Sequence, residues 1–262
     1  MSLGALARFL VGAAYTVGAA GAVVALSLVQ PRGRAWERVG RRWARGLLRI
    51  CGLELDVVGA EHLAGPAVFV ANHQSFLDPM VLTALLPAST KWVAKAEFRR
   101  VPLLGRAFGA CAIYVDRLDP PAAREALAEA LAELPAGWSV AVFPEGTRSG
   151  DGRLLPFKKG AVHVARRLGL PIVPVGVAAA PATLPYGPRL IRPGRVRIVA
   201  SAPLATGDWS EEEADQRAAE LEQAVRGCLA GAGGPAAATA AVTGSAGEDA
   251  AHPQPVPQGD QD

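Results

Sequence analysis

Ala67-Val68-Phe69-Val70-Ala71-Asn72-His73-Gln74-Ser75-Phe76-Leu77-Asp78-Pro79 changes character twice over a short distance. Its first five residues are an unbroken apolar run preceded by Gly65-Pro66, the pattern of a strand buried on both faces. Polar residues follow as a loop, and Asp78-Pro79 reads as an N-cap with proline at the first helical position, which predicts a helix over residues 79–86. Moving outward, the same alternation continues. Short apolar runs predict strands at residues 53–58, 91–94, 111–115, 139–143, 172–177 and 196–200, and helical patterns occupy residues 121–134 and 160–168. The expected fold is α/β, with a mixed, largely parallel sheet covered by helices. In such sheets ligands collect beyond the carboxyl ends of the strands, so the residues just after each strand carry the functional reading.

The flanks differ from this middle. Residues 9–29 are 21 consecutive uncharged residues, enough at 1.5 Å per residue to cross a hydrocarbon core. Only Arg8 and the amino terminus precede this run, whereas seven arginines and one acid lie between Arg32 and Arg49. That order is wrong for a cleaved signal peptide and predicts a membrane anchor, spanning or interfacial, with the remaining chain on the cytoplasmic side of the cell membrane. Trp36, Val39, Trp43, Leu47 and Ile50 recur at helical spacing with arginines on the other faces, which predicts a basic amphipathic helix lying on anionic lipid. The competing arrangement packs the Trp/Leu face onto the domain. The whole chain is only +3, so the basic character is confined to this segment, and lipid beside an apolar run is favoured over nucleic acid. Ser210-Glu211-Glu212-Glu213 offers a capping box for a helix over residues 214–229. Residues 231–262 hold no Lys, Arg or aromatic residue and read as a disordered tail. The expected organisation is an anchor and basic helix over residues 1–52, a catalytic domain over 53–230 and the tail over 231–262.

Half of the 262 residues are apolar and 19% are charged, which excludes a wholly disordered chain. Three cysteines, Cys51, Cys111 and Cys228, lie far apart, and neither they nor the four histidines have metal-ligand spacing. No metal, cofactor or disulfide framework is expected, and Cys111 reads as an inert strand residue. After the strand at 67–71, His73 and Asp78 are five apart and would lie on different faces of one helix. With a turn between them, the Asp78 carboxylate folds back toward the imidazole, fixes its tautomer and suits it to general-base work. Ser75 is too close in sequence to both to complete a nucleophilic triad, which excludes a serine hydrolase. After the strand at 139–143 comes Pro144-Glu145-Gly146-Thr147-Arg148-Ser149, where an arginine, hydroxyls and a permissive glycine suit an anion such as phosphate. All four lysines, Lys91, Lys95, Lys158 and Lys159, fall near these loops and suggest a placed positive field.

These residues resemble a known family. Asn72-His73-Gln74-Ser75-Phe76-Leu77-Asp78 is similar to the His-x4-Asp block of the glycerolipid acyltransferases, the lysophosphatidic acid and glycerol-3-phosphate acyltransferase group, and Phe143-Pro144-Glu145-Gly146-Thr147-Arg148-Ser149 resembles its second hallmark. Lys95-Ala96-Glu97-Phe98 through Pro102 and Gly105, with Tyr114-Val115-Asp116-Arg117, resembles the intermediate block, and Pro171-Ile172-Val173-Pro174-Val175-Gly176-Val177 the final one. The resemblance covers residues 72–177 and implies acyl transfer from acyl-CoA or acyl carrier protein to the free hydroxyl of 1-acylglycerol-3-phosphate. It assigns His73 as base and Asp78 as its partner, and it places Glu145, Gly146, Thr147 and Arg148 along the acceptor, with Arg117 and Lys95 contributing. Implied partners are a lysophospholipid, an acyl thioester and an anionic membrane. Two other functions fit the same sequence: acyl transfer to another lyso-lipid such as a lyso-ornithine lipid, and a catalytically silent membrane lipid-binding protein. The intact His73/Asp78 pair speaks against the latter.

Overall fold

The computed structural model describes residues 3–29, 34–116, 118–149, 152–179, 183 and 191–233. Among these, the strands are β1 (Leu53–Val58), β2 (Val68–Ala71), β3 (Thr90–Lys95), β4 (Ala112–Val115), β5 (Ser139–Val142), β6 (Ile172–Ala179) and β7 (Gly194–Ala200). They form one sheet in the order β1-β7-β6-β2-β5-β3-β4. Every neighbouring pair is parallel except β6 and β7, so the sheet is mixed and largely parallel as expected. The helices are α1 (Leu3–Val29), α2 (Arg34–Cys51), α3 (Asp78–Leu85), α4 (Leu104–Gly109), α5 (Pro120–Ala132), α6 (Gly160–Leu168) and α7 (Ala214–Gly231).

The central strands β2, β5 and β6 are apolar at nearly every position because both faces of the sheet are covered. Alternate residues serve different cores. Phe69, Ala71, Ala141, Val173 and Val175 pack toward α1, α2 and α3, whereas Val68, Val70, Val140, Val142 and Ile172 pack toward α5, α6 and α7. At Gly176 in β6 the main chain of α7 comes so close that a β-carbon would lie 2.7 Å from Cys228 C and Leu229 N. Helix starts follow local chemistry. Asp119 Oδ1 accepts from Ala122 N at 3.0 Å before α5, and before α7 Ser210 N donates to Glu213 Oε2 at 3.1 Å while Glu213 N donates to Ser210 Oγ at 3.3 Å.

Helices α1 and α2 form an antiparallel hairpin. Tyr15 Oη donates to Arg42 O at 3.2 Å, and Trp43 Nε1 donates to Thr16 Oγ1 at 3.2 Å. The expectation that the tryptophans of α2 meet lipid headgroups is corrected here. Trp36 and Trp43 are buried, with ring centroids 5.7 and 6.1 Å from that of Phe108 at the end of α4, so the Trp/Leu face covers the domain and α1. Arg38, Arg42, Arg45 and Arg49 remain exposed, and Arg45 Nε donates to Ala84 O at 3.0 Å, close to the carbonyl end of α3. Along α1 the apolar side chains of Phe9, Leu10, Val11, Val17, Leu28 and Val29 are exposed. The tail reading, beyond Gly233, lies outside the described residues.

Candidate active site

The loop from β2 to α3 is fixed by its own side chains. Asn72 is fully buried and joins β6 as a strand residue would: its Nδ2 donates to Val177 O at 3.0 Å and its Oδ1 accepts from Val177 N at 2.7 Å. The next residues wrap around Asp78, whose Oδ2 accepts from Gln74 N and Ser75 N, both at 2.7 Å, and faces His73 Nδ1 at 3.1 Å. The expected N-cap role of Asp78 is corrected: α3 begins at Asp78 itself, Leu77 stands at the cap without a side-chain bond, and Pro79 lies in the first turn. The carboxylate folds back into the loop instead of capping the helix, because the two main-chain N–H groups and the imidazole converge on one oxygen. The turn inferred between His73 and Asp78 is therefore present, and it carries the pairing.

Asp78 is 1% exposed, whereas the His73 side chain keeps 19% of its surface. An ionised carboxylate is an acceptor only, so the contact places a proton on Nδ1 and leaves the Nε2 lone pair without a partner among the described residues. The imidazole stacks on Phe143, with centroids 4.2 Å apart and planes 17° from parallel, and Phe143 stacks in turn near Trp92 at 5.5 Å. This aromatic row runs from the carboxyl ends of β2 and β5 to Trp92 within β3. Cys111 is fully buried and its thiol is pushed up by burial, as expected of an inert residue.

The second loop turns sharply after β5. Gly146 N donates to Phe143 O at 3.1 Å, and Gly146 has φ of 73°, a left-handed conformation open to glycine. A β-carbon there would lie 3.1 Å from Lys158 Nζ, so the lysine approaches the loop closely. Thr147 and Arg148 are exposed beyond this turn, available to a ligand. Glu145 is different. It is 3% exposed, its Oε1 accepts from His73 N at 2.6 Å and its Oε2 accepts from Leu155 N at 2.9 Å. Burial pushes this carboxyl up to about 7, with the two main-chain donors opposing the shift and the Asp78 charge adding to it.

The structure thus brings together His73, Asp78 and Glu145, with Gly146, Thr147 and Arg148 on the adjoining turn. Lys95 ends β3 and pairs with Glu97 at 2.8 Å, and Arg117 lies outside the described residues. The lysines do not act as one field. Lys91 Nζ donates to Ala110 O at 2.8 Å and lies over Trp138, and Lys159 pairs with Asp215, which leaves Lys158 as the lysine that reaches the turn. Asn72, Phe143 and Leu155 were missed as site residues because their parts arise from tertiary contacts. The position of Asn72, between an apolar run and His73, was the one available signal.

An apolar cavity of about 560 Å³ opens between the hairpin and the loop from β2 to α3, with Gly12, Thr16, Leu47, Phe76, Leu77 and Met80 among its walls. Its size is in the range of ligand-binding clefts.

The largely parallel α/β domain thus holds an oriented His–Asp pair beside the exposed Thr147–Arg148 turn. Residues 54–178 match the family described as Acyltransferase, and the chain belongs to that family. Among curated proteins it is 39% identical over 166 residues to 1-acyl-sn-glycerol-3-phosphate acyltransferase of Limnanthes alba, covering 63% of this chain and 59% of the relative. It is 38% identical over 168 residues to the protein of the same name from Limnanthes douglasii, covering 63% of this chain and 60% of that one. The match thus spans about three fifths of the length of these relatives. The crystal structure of the 1-acyl-sn-glycerophosphate (LPA) acyltransferase from Thermotoga maritima superposes with a TM-score of 0.70 at 26% identity, covering 86% of this chain and 94% of that one.

Proposed function

We propose that the protein transfers a fatty acyl group from an acyl-CoA or acyl carrier protein thioester to the free hydroxyl of 1-acylglycerol-3-phosphate, forming phosphatidic acid. The observation that carries this reading is the His73–Asp78 pair at 3.1 Å, with the ring stacked on Phe143 and its far nitrogen without a partner among the described residues. His73 Nε2 takes the hydroxyl proton as the acceptor oxygen attacks the thioester carbonyl. A C–O bond forms, the C–S bond breaks, and the imidazolium returns its proton to the leaving thiolate. Asp78 holds the ring and balances its transient positive charge. A thioester is already activated, so positioning and general-base help suffice without a covalent acyl-enzyme. Arg148 receives the acceptor phosphate on the exposed turn, and the cavity between the hairpin and Phe76, Leu77 and Met80 receives a fatty chain.

The α1–α2 hairpin attaches the protein to an anionic membrane on its cytoplasmic side. Because α1 runs alongside α2, a spanning α1 would draw the exposed arginines of α2 toward hydrocarbon, at about 2.5–3.5 kcal/mol each. An interfacial position avoids this, burying the exposed apolar face of α1 while the arginines meet lipid phosphates. The test is phosphatidic acid formation by detergent-purified protein given lysophosphatidic acid and a panel of acyl thioesters, with His73→Ala as control. General-base loss predicts a rate lower by roughly 10²–10⁴. Near-normal turnover by the variant sinks the mechanism, and product from a lyso-ornithine lipid alone redirects the acceptor assignment.

A further inference from the structure

Glu145 lies in the loop that would face the acceptor, yet neither of its oxygens is directed there. One accepts the main-chain N–H of His73 at 2.6 Å and the other that of Leu155 at 2.9 Å, in a site that leaves the residue 3% exposed. His73 is thereby held by two buried carboxylates, through its ring by Asp78 and through its main chain by Glu145. A carboxylate in this setting would also repel a phosphate brought close to it. We propose that Glu145 is a positioning residue for His73 and not an acceptor ligand, and that its ionisation state sets whether the catalytic loop is held to the segment at Leu155. This deepens the acyl-transfer reading and rests on His73 being the base.

The chemistry of the carboxyl gives the switch. Ionised, both oxygens are acceptors and both N–H groups are satisfied. Protonated, one oxygen carries a hydrogen and becomes a poor partner for the N–H it faces. One of the two loops is then released. The charged groups around Glu145 disfavour its ionisation: Asp78 on α3 and Glu222 on α7 both push its carboxyl upward, beyond the larger effect of burial. Glu222 is itself engaged, accepting from Phe157 N at 3.3 Å and pairing with Arg226 at 2.8 Å, and Lys158 stands over the neighbouring Gly146. With the carboxyl at about 7, the change falls within the working range of an enzyme.

The experiment measures kcat and KM for lysophosphatidic acid from about pH 5.5 to 9 with full-length wild type, Glu145→Gln and Glu145→Ala. Gln keeps one acceptor oxygen and Ala keeps none. The expected result is a kcat lower by about tenfold in Gln and by about a further tenfold in Ala, each tenfold corresponding to the net loss of about one hydrogen bond, with acceptor KM within about twofold of wild type. At saturating acceptor the acid limb of kcat should lose, in Glu145→Gln, a proton that wild type takes up near pH 7. A tenfold rise in KM at unchanged kcat would make Glu145 an acceptor ligand and overturn the proposal. An acid limb unchanged by Glu145→Gln also overturns it. Melting temperature across the same range supplies a readout free of activity. A carboxyl whose folded value is raised contributes stability at low pH that is lost as pH rises toward the folded value, so the wild-type minus Gln difference should fall up to about pH 7 and then level. A constant difference also overturns the proposal. Absence of product with every donor, together with a falling melting difference, would instead count against the acyl-transfer reading alone.

Discussion

Replacing Asp78 by Asn removes a charge while preserving shape, at a residue that is 1% exposed and whose Oδ2 receives three donors. In the transition state the imidazole has taken up roughly half of a proton's charge. At the 3.1 Å contact, an effective dielectric of about 20 gives roughly 5 kcal/mol for a full charge pair, hence about 2.5 kcal/mol at half transfer. Weakening a charge-assisted hydrogen bond to a neutral one adds about 1 kcal/mol. The sum, about 3.5 kcal/mol, is a loss of roughly 10²–10³ in kcat. The same substitution weakens the bonds from Gln74 N and Ser75 N by about 1 kcal/mol each, which lowers the melting temperature by about 4–8 °C in a domain of this size. Steady-state phosphatidic acid formation and a thermal melt on the same preparation measure both. A kcat within about threefold of wild type would show that the charge of Asp78 has no part in catalysis and would refute the pairing argument.

Arg148→Ala should raise KM for lysophosphatidic acid by about 10–100-fold, the value of a charge-assisted contact, while leaving a phosphate-free monoacylglycerol acceptor little changed; equal losses on both acceptors would contradict phosphate recognition. In flotation assays the protein should rise with anionic vesicles and less so at high salt. A Leu10→Glu/Val17→Glu variant should lose on the order of 10² in partitioning, and unchanged flotation would remove α1 from the membrane contact. Gly176→Ala should destabilise by about 1–3 kcal/mol, because the new methyl meets the main chain of α7, and an unaltered melt would mean that the helix moves aside at little cost.

Every predicted strand has an observed counterpart: β2, β5 and β6, buried on both faces, write themselves as continuous apolar runs, and β3, β4 and β7 keep buried residues at alternate positions. The antiparallel turn of β7 against β6 had no such signature, since pairing direction depends on the connection and not on the strand. Helix α4 and the 3-10 turns at Ala60–Leu63 and Ala96–Arg100 were not read, being too short to show periodicity. For α2 the periodicity was legible but its partner was not: Trp36 and Trp43 suit a lipid interface and a protein core equally well, and the aromatic ring of Phe108 decides between them. His73 and Asp78 could be paired from sequence because both lie in one loop. The main-chain clamp of Glu145 could not, since it joins residues 72 apart and leaves no pattern along the chain.

The apolar cavity shares walls with the hairpin and with Phe76 and Leu77 of the catalytic loop. On the attachment proposed above, a single-chain acceptor would reach the cavity from the bilayer plane without crossing water. The quantity that governs turnover would then be the acceptor's mole fraction in two dimensions, not its molarity. Diluting a fixed amount of acceptor with inert phospholipid should slow the reaction even though nothing in the aqueous phase has changed.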